Sequence, residues 1–264
     1  MAYDWITLTT DFGLSDAFAG AVHGVIARLA PQVRIIDVTH AVHAGDVVRG
    51  AAVLAQAVPH MPVAVHVAVV DPGVGTLRRA VALRTPGGLL VGPDNGLLPA
   101  AAAALGGIRD AVSLTNAAWH AGTVSRTFHG RDVFAPVAAR LARGEPFEDA
   151  GEPVDPDTLV RLPEPVLVAG EGYLEAEVLT VDRFGNVQLA APGTALAGLG
   201  DGLVAGGLPA RRGATFGDAR PGELVVYVDS ADLVALAING GRAVVALAVT
   251  PGDMLRVERA HSAN

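Results

Sequence analysis

Apolar runs alternate along the first half of the chain with segments whose apolar positions recur every three or four residues. Residues 5–9 read as a strand. In the next segment Phe18, Val22, Ile26 and Leu29 share one helical face, and Asp16 stands where a helix cap belongs. Residues 34–39 predict a second strand and residues 46–58 a second helix. Residues 63–70 are almost wholly apolar and rich in valine, as a parallel strand covered on both faces must be. A short strand at 89–91 and helices at 95–105 and 132–143 follow, with Asp132 a cap at one end and Gly144 at the other. This alternation predicts an α/β domain with a mainly parallel central sheet.

The pattern changes after Gly144. Residues 145–165 are rich in acid and carry Pro146, Pro153, Pro156, Pro163 and Pro165, which reads as a linker. Beyond it come short strands punctuated by glycine, at 174–181, 187–189, 223–228, 234–238, 243–249 and 254–257, with no amphipathic helix. The expected organisation is an α/β domain over 1–160, a linker over 161–171 and a smaller all-β, barrel-like domain over 172–264.

Composition removes several chemistries. The 264 residues include no cysteine, which excludes disulfides, thiolate nucleophiles and cysteine-bound metals. All 19 basic residues are arginine, so Schiff-base chemistry, the Walker lysine and the kinase lysine are excluded as well. A net charge of −8 without a basic cluster argues against nucleic acid as a partner. The apolar stretch 51–70 is broken by Pro59 and Pro62, so no membrane span is expected, and no signal peptide is expected ahead of the first strand. A cytoplasmic location is the expectation.

Ligands of open α/β sheets gather at the carboxyl ends of parallel strands, so polar residues just after predicted strands come first. Asp11, in Thr10-Asp11-Phe12-Gly13, is placed to take both hydroxyls of a ribose; Asp16 is read both as a cap and as a ligand contact. The Asp-Phe-Gly triplet also occurs in kinase magnesium loops, but a kinase requires the absent lysine. Asp71 follows the most apolar strand and heads the loop Asp71-Pro72-Gly73-Val74-Gly75-Thr76-Leu77-Arg78-Arg79, on which Arg78 can return to pair with it. Arg79 reads as exposed. In Pro93-Asp94-Asn95-Gly96 turn chemistry accounts for Asp94, while Asn95 stays a candidate contact. His129 alone reads as a surface residue; Phe128, Gly130 and a helix N-terminus beside it mark it out. His40, His43 and Asp46 lack a ligand frame, and no metal is expected. Asp182-Arg183-Phe184-Gly185-Asn186 reads as a bulged hairpin turn.

In order and spacing, these motifs resemble the S-adenosylmethionine hydroxide adenosyltransferase family, which hydrolyses S-adenosylmethionine (SAM) to adenosine and methionine. The resemblance spans nearly the whole chain. It implies that Asp71, Arg78 and His129 form a water-handling triad, that Asp11 holds the ribose and that Phe128 lies against the nucleoside. It further implies that Asp182, Phe184 and Asn186 bind the methionine end and the base, with Ser230 nearby. By the same resemblance the protein is a homotrimer, with sites between one subunit's first domain and a neighbour's second. The related halogenases have a non-acidic residue in place of Asp71 and lack the histidine. Two departures stand out: Gly45 where relatives often carry a covering aromatic, and Ala231-Asp232 where a glycine-containing turn usually follows the serine.

The implied reaction suits the composition. Displacement at the 5′ carbon of a sulfonium expels a neutral thioether, so neither a metal nor an acid is needed, and no cofactor is expected because SAM is the substrate. What is needed is a desolvated water in line with the carbon–sulfur bond. An arginine beside a carboxylate weakens it as a base, so a positioned water or a bound hydroxide both stay open. The alternatives are a SAM-dependent halogenase and a non-catalytic adenosine- or SAM-binding protein.

Overall fold

The structure is a computed structural model that describes residues 2–260; residue 1 and residues 261–264, the ends of the two expected domains, lie outside the described residues. The chain divides into two compact units, one ending at Leu162 and the other starting at Pro163.

In the first unit, strands β1 (Trp5–Thr10), β2 (Arg34–Thr39), β3 (Ala64–Val69), β4 (Ala80–Thr85), β5 (Gly88–Pro93), β6 (Asp110–Ser113) and β7 (Glu152–Val154) form one sheet in the order β2-β1-β3-β5-β4-β6-β7. Its β2-β1-β3-β5 half is parallel and holds the strands expected from the apolar runs. The other half is antiparallel and unforeseen, so the sheet is mixed. Helices α1 (Phe18–Leu29) and α4 (Ala135–Ala142) pack with Ile6, Leu8, Val65 and Val67 into one core. Helices α2 (Val47–Ala57) and α3 (Pro99–Ala104) pack with Val70 and Leu90 into a second. Both faces being covered, every residue of β3 is buried, which is why it could be built from unbroken apolar sequence.

Two expected caps are absent, and one cap arises where none was expected. Asp46 caps α2, accepting from the Arg49 N–H at 2.9 Å. Asp16 caps nothing: α1 starts after Ala17 with no side-chain bond. Nor does Asp132 cap α4, which a wider π-type turn at Gly130–Phe134 precedes; its buried carboxylate accepts from the Ser125 N–H and from Arg131. Arg79, read as exposed, instead pairs with buried Asp94 at 2.7 Å and donates to the Thr158 carbonyl, fastening the segment after β7 to the loop before β4.

The second unit comprises β8 (Leu167–Gly170), β9 (Tyr173–Val181), β10 (Val187–Pro192), β11 (Gly202–Ala205), β12 (Leu208–Arg212), β13 (Leu224–Val228), β14 (Leu233–Ile238), helix α5 (Ala243–Leu247) and β15 (Met254–Arg259). The order β9-β10-β14-β13-β12-β11-β15 returns to β9, closing a seven-stranded barrel; β8, inside the segment read as linker, adds to the outside of β9. Strict alternation along β9 sends Leu174, Ala176 and Val178 into the barrel core. Ala243–Leu247 is helical rather than the expected strand, with Ala243 buried and Val245 open to solvent. A short unbroken apolar run carries no period by which strand and helix can be told apart.

Candidate active site

Asp11 follows β1 directly and Asp71 lies just beyond β3, at the carboxyl ends of two adjacent parallel strands paired Thr10 to Val69. Sheet register therefore brings the two carboxylates to the same edge. The loop after Asp71 turns back, and Arg78 reaches it: Nε donates to Oδ1 at 2.9 Å and to Oδ2 at 3.1 Å, while Nη2 donates to Oδ2. The same Nη2 donates to Nδ1 of His129 at 2.8 Å. Both members of the Asp71–Arg78 pair are nearly buried, with side chains 5% and 10% exposed.

This arrangement settles the histidine's tautomer. Arginine only donates, so Nδ1 of His129 accepts, and the proton of a neutral ring sits on Nε2. Burial first, and then the Arg78 guanidinium, hold His129 below its ordinary value of 6.5, against the opposing pull of Asp71. At neutral pH the ring is neutral and offers an N–H.

Asp71 and His129 line a cavity of about 340 Å³ together with Asp11, Gly45, Phe12 and Phe128. Phe128 packs edge-on against Phe12 and Phe18, with ring centroids 5.7 and 5.1 Å apart. That cluster depends on Gly130, where a Cβ would sit 2.8 Å from the Phe12 ring. Asp11 accepts from the Gly45 N–H at 2.8 Å through Oδ2. Gly45 has φ +74°, where an aromatic side chain would be strained, so the chain meets the cavity there with backbone.

The sequence pattern of the SAM hydroxide adenosyltransferase N-terminal domain matches residues 6–151, and that of the family's C-terminal domain matches residues 176–256. The chain belongs to this family. The (R)-S-adenosyl-L-methionine hydrolase of Salinispora tropica is 64% identical over 253 residues, covering 96% of this chain and 97% of that protein. A fluorinase of Actinoplanes sp. is 29% identical over 273 residues, covering 89% and 90%. A crystal structure of an uncharacterized conserved protein from Thermotoga maritima superposes with a TM-score of 0.89 at 35% identity, covering 96% of this chain and all of that one.

Of the other first-unit candidates, neither Asp16 nor Asn95 lines the cavity. Asp16 is exposed, and Asn95 is engaged by the fold at both ends of its amide, donating to the Val70 carbonyl and accepting from the Leu97 N–H. In the second unit Asp182 accepts from the N–H groups of Phe184 and Asn186, each at 2.9 Å, and from the Asn186 amide at 2.8 Å. This locks a turn that leaves Phe184 69% exposed at its tip. Ser230 is exposed beside a turn in which Asp232 takes the left-handed conformation, φ +59°, that a glycine would otherwise supply. Asp229 holds that turn by accepting from the Ala231 and Leu233 N–H groups. Sequence reasoning left out Phe12 as a cavity wall, although its place in Thr10-Asp11-Phe12-Gly13 was the available signal.

Proposed function

We propose that this chain hydrolyses S-adenosyl-L-methionine to adenosine and L-methionine by in-line attack of a positioned water or hydroxide on the 5′ carbon. The observation that carries the reading is Arg78 bridging Asp71 and His129, both of which line the cavity. The family membership and the close hydrolase relative support the same reaction.

The geometry supports a role for each residue. Nδ1 of His129 is occupied by Arg78, so the ring serves as a donor: its Nε2–H holds the oxygen of the attacking water. Asp71 Oδ1 accepts from Arg78 along one direction and retains a lone pair for a water proton. As the oxygen–C5′ bond forms, the C5′–sulfur pair returns to sulfur as neutral methionine, and the water's proton leaves through Asp71 or has left before attack. Arg78 stabilises the developing hydroxide charge. Asp11 holds the ribose hydroxyls, and the Phe12–Phe128 wall excludes bulk water. Asp16, Asn95, Asp182, Phe184, Asn186 and Ser230 complete the proposed substrate contacts. A neutral leaving group calls for no cofactor.

The assembly belongs to the same proposal: a cytoplasmic homotrimer with sites between subunits. Phe184 and Leu77, apolar and open to solvent in the single chain, support it. Among the described residues no helix is long and apolar enough to cross a membrane. The expected mass of a trimer is checked by light scattering.

Incubation with SAM and chloride in isotopically labelled water tests the reaction. Labelled adenosine with methionine is expected. Formation of 5′-chloro-5′-deoxyadenosine would make the protein a halogenase, and unchanged SAM would make it a binder.

A further inference from the structure

Outside the cavity, one group of metal-ligating side chains converges among the described residues: His23 on α1, Asp37 on β2 and His40 just after β2. Nε2 of His23 lies 2.8 Å from Asp37 Oδ1, and Nε2 of His40 lies 3.0 Å from the same oxygen. The ligand atoms all fall within 4.8 Å of one another.

His40 is the informative member. Its ring is buried, and its Nδ1 is paired with Thr10 Oγ1 at 2.7 Å. Yet its Nε2 has no aligned hydrogen-bond partner, despite the nearby carboxylate. If Nδ1 donates to Thr10, the Nε2 lone pair faces a carboxylate oxygen and the two repel. If Thr10 donates instead, the buried Nε2–H lies 3.0 Å from Asp37 Oδ1 without being aligned to it, and its hydrogen bond is poor. A cation held by Nε2 and Oδ1 removes the defect in the first tautomer. The Thr10 contact is then the outer-shell bond that orients a metal-binding imidazole.

We propose that His23, Asp37 and His40 bind a divalent first-row transition-metal ion of the zinc class. Two imidazoles and one carboxylate suit such ions better than magnesium or calcium. With ligand bonds of about 2.1 Å, each imidazole nitrogen subtends roughly a right angle with Asp37 Oδ1, narrower than the tetrahedral angle that partly exposed His23 can open toward, and further positions are left for water. The ion joins α1 to the end of β2. Because the His40 carbonyl accepts from the Gly13 N–H at 2.7 Å and Thr10 precedes Asp11, it also braces the loop that carries Asp11. The role is structural, and no step of the hydrolysis passes through it.

The test uses tag-free protein stripped with a chelator and dialysed against Zn²⁺, with metal content read by mass spectrometry and melting temperature alongside. The expected result is one equivalent per chain and a raised melting temperature. Co²⁺ should give a visible absorption band. His23→Ala, on a half-exposed helix face, and Asp37→Asn should each weaken binding by more than the roughly 10- to 100-fold that loss of an outer-shell partner brings. Absence of bound Zn²⁺, or binding unchanged in both variants, overturns the proposal. Neither readout depends on turnover, so failure here is distinguishable from failure of the hydrolase reading.

Discussion

Arg78 donates to Nδ1 of His129 at 2.8 Å while holding both carboxylate oxygens of Asp71, so one guanidinium fixes an acid and a donor at once. Removing it should affect the reacting water far more than the bound substrate. Arg78→Ala is expected to lower kcat by about 10²- to 10³-fold, the scale of losing a charged transition-state donor, with SAM affinity changed only a few-fold. Arg78→Lys should not restore the rate, because an ammonium lacks the planar fork that bridges two partners. Single-turnover kinetics with calorimetric SAM binding checks both; equal losses in rate and affinity would count against the triad.

His129 should work as a neutral donor. Its protonation below 6.5, displaced downward by burial and by Arg78, puts a proton on the nitrogen that Arg78 needs. The rate should therefore hold as pH falls through 6.5 and decline only below it. His129→Gln, which can offer an amide N–H, should retain more activity than His129→Ala and lose that acid limb. A pH profile of kcat for the three proteins decides it.

Gly130 admits the Phe12 ring. Gly130→Ala places a methyl 2.8 Å from it, and overpacking of this kind costs about 1–3 kcal/mol. The expected variant melts several degrees lower and has a raised KM, since the displaced rings line the cavity. Thermal denaturation and steady-state kinetics give the two readings.

His66, in the wholly buried β3, is pushed down to about 4 by burial, with Nδ1 on Thr7 Oγ1 at 2.9 Å. The unfolded chain takes up that proton from 6.5 downward and the folded chain does not, so stability is unaffected above 6.5 and falls as pH drops toward 4. The loss reaches on the order of 3 kcal/mol. Urea denaturation at several pH values should show this slope, and His66→Asn should flatten it.

How much of this was readable in advance follows from the kind of signal each element carries. The parallel strands were legible because strands buried on both faces must be nearly all apolar. The strands β6 and β7 were not, being short and half-covered; β4, six residues long and mostly buried, also went unread, and α5 was mistaken because its run has no period. Within the site, Asp71 and Arg78 share one loop, and their pairing follows from local chain reversal. His129 lies 51 residues beyond Arg78, and nothing local connects them. The same limit hid His23 in the His23–Asp37–His40 cluster: Asp37 is only three residues before His40, but His23 comes from helix α1, while the nearby His43 is exposed and Asp46 caps α2.

By itself, then, the sequence determined the two-part architecture, the exclusion of thiol and lysine chemistry, and the residue types at the ends of β1 and β3. These are set by composition and by periods spanning a few residues. Only the tertiary structure decided that Arg78 accepts a second duty at His129, which nitrogen of that ring carries the proton, and that Gly130 lets the aromatic wall close. Each depends on distances between segments far apart in the chain, and sheet register and helix packing set those distances.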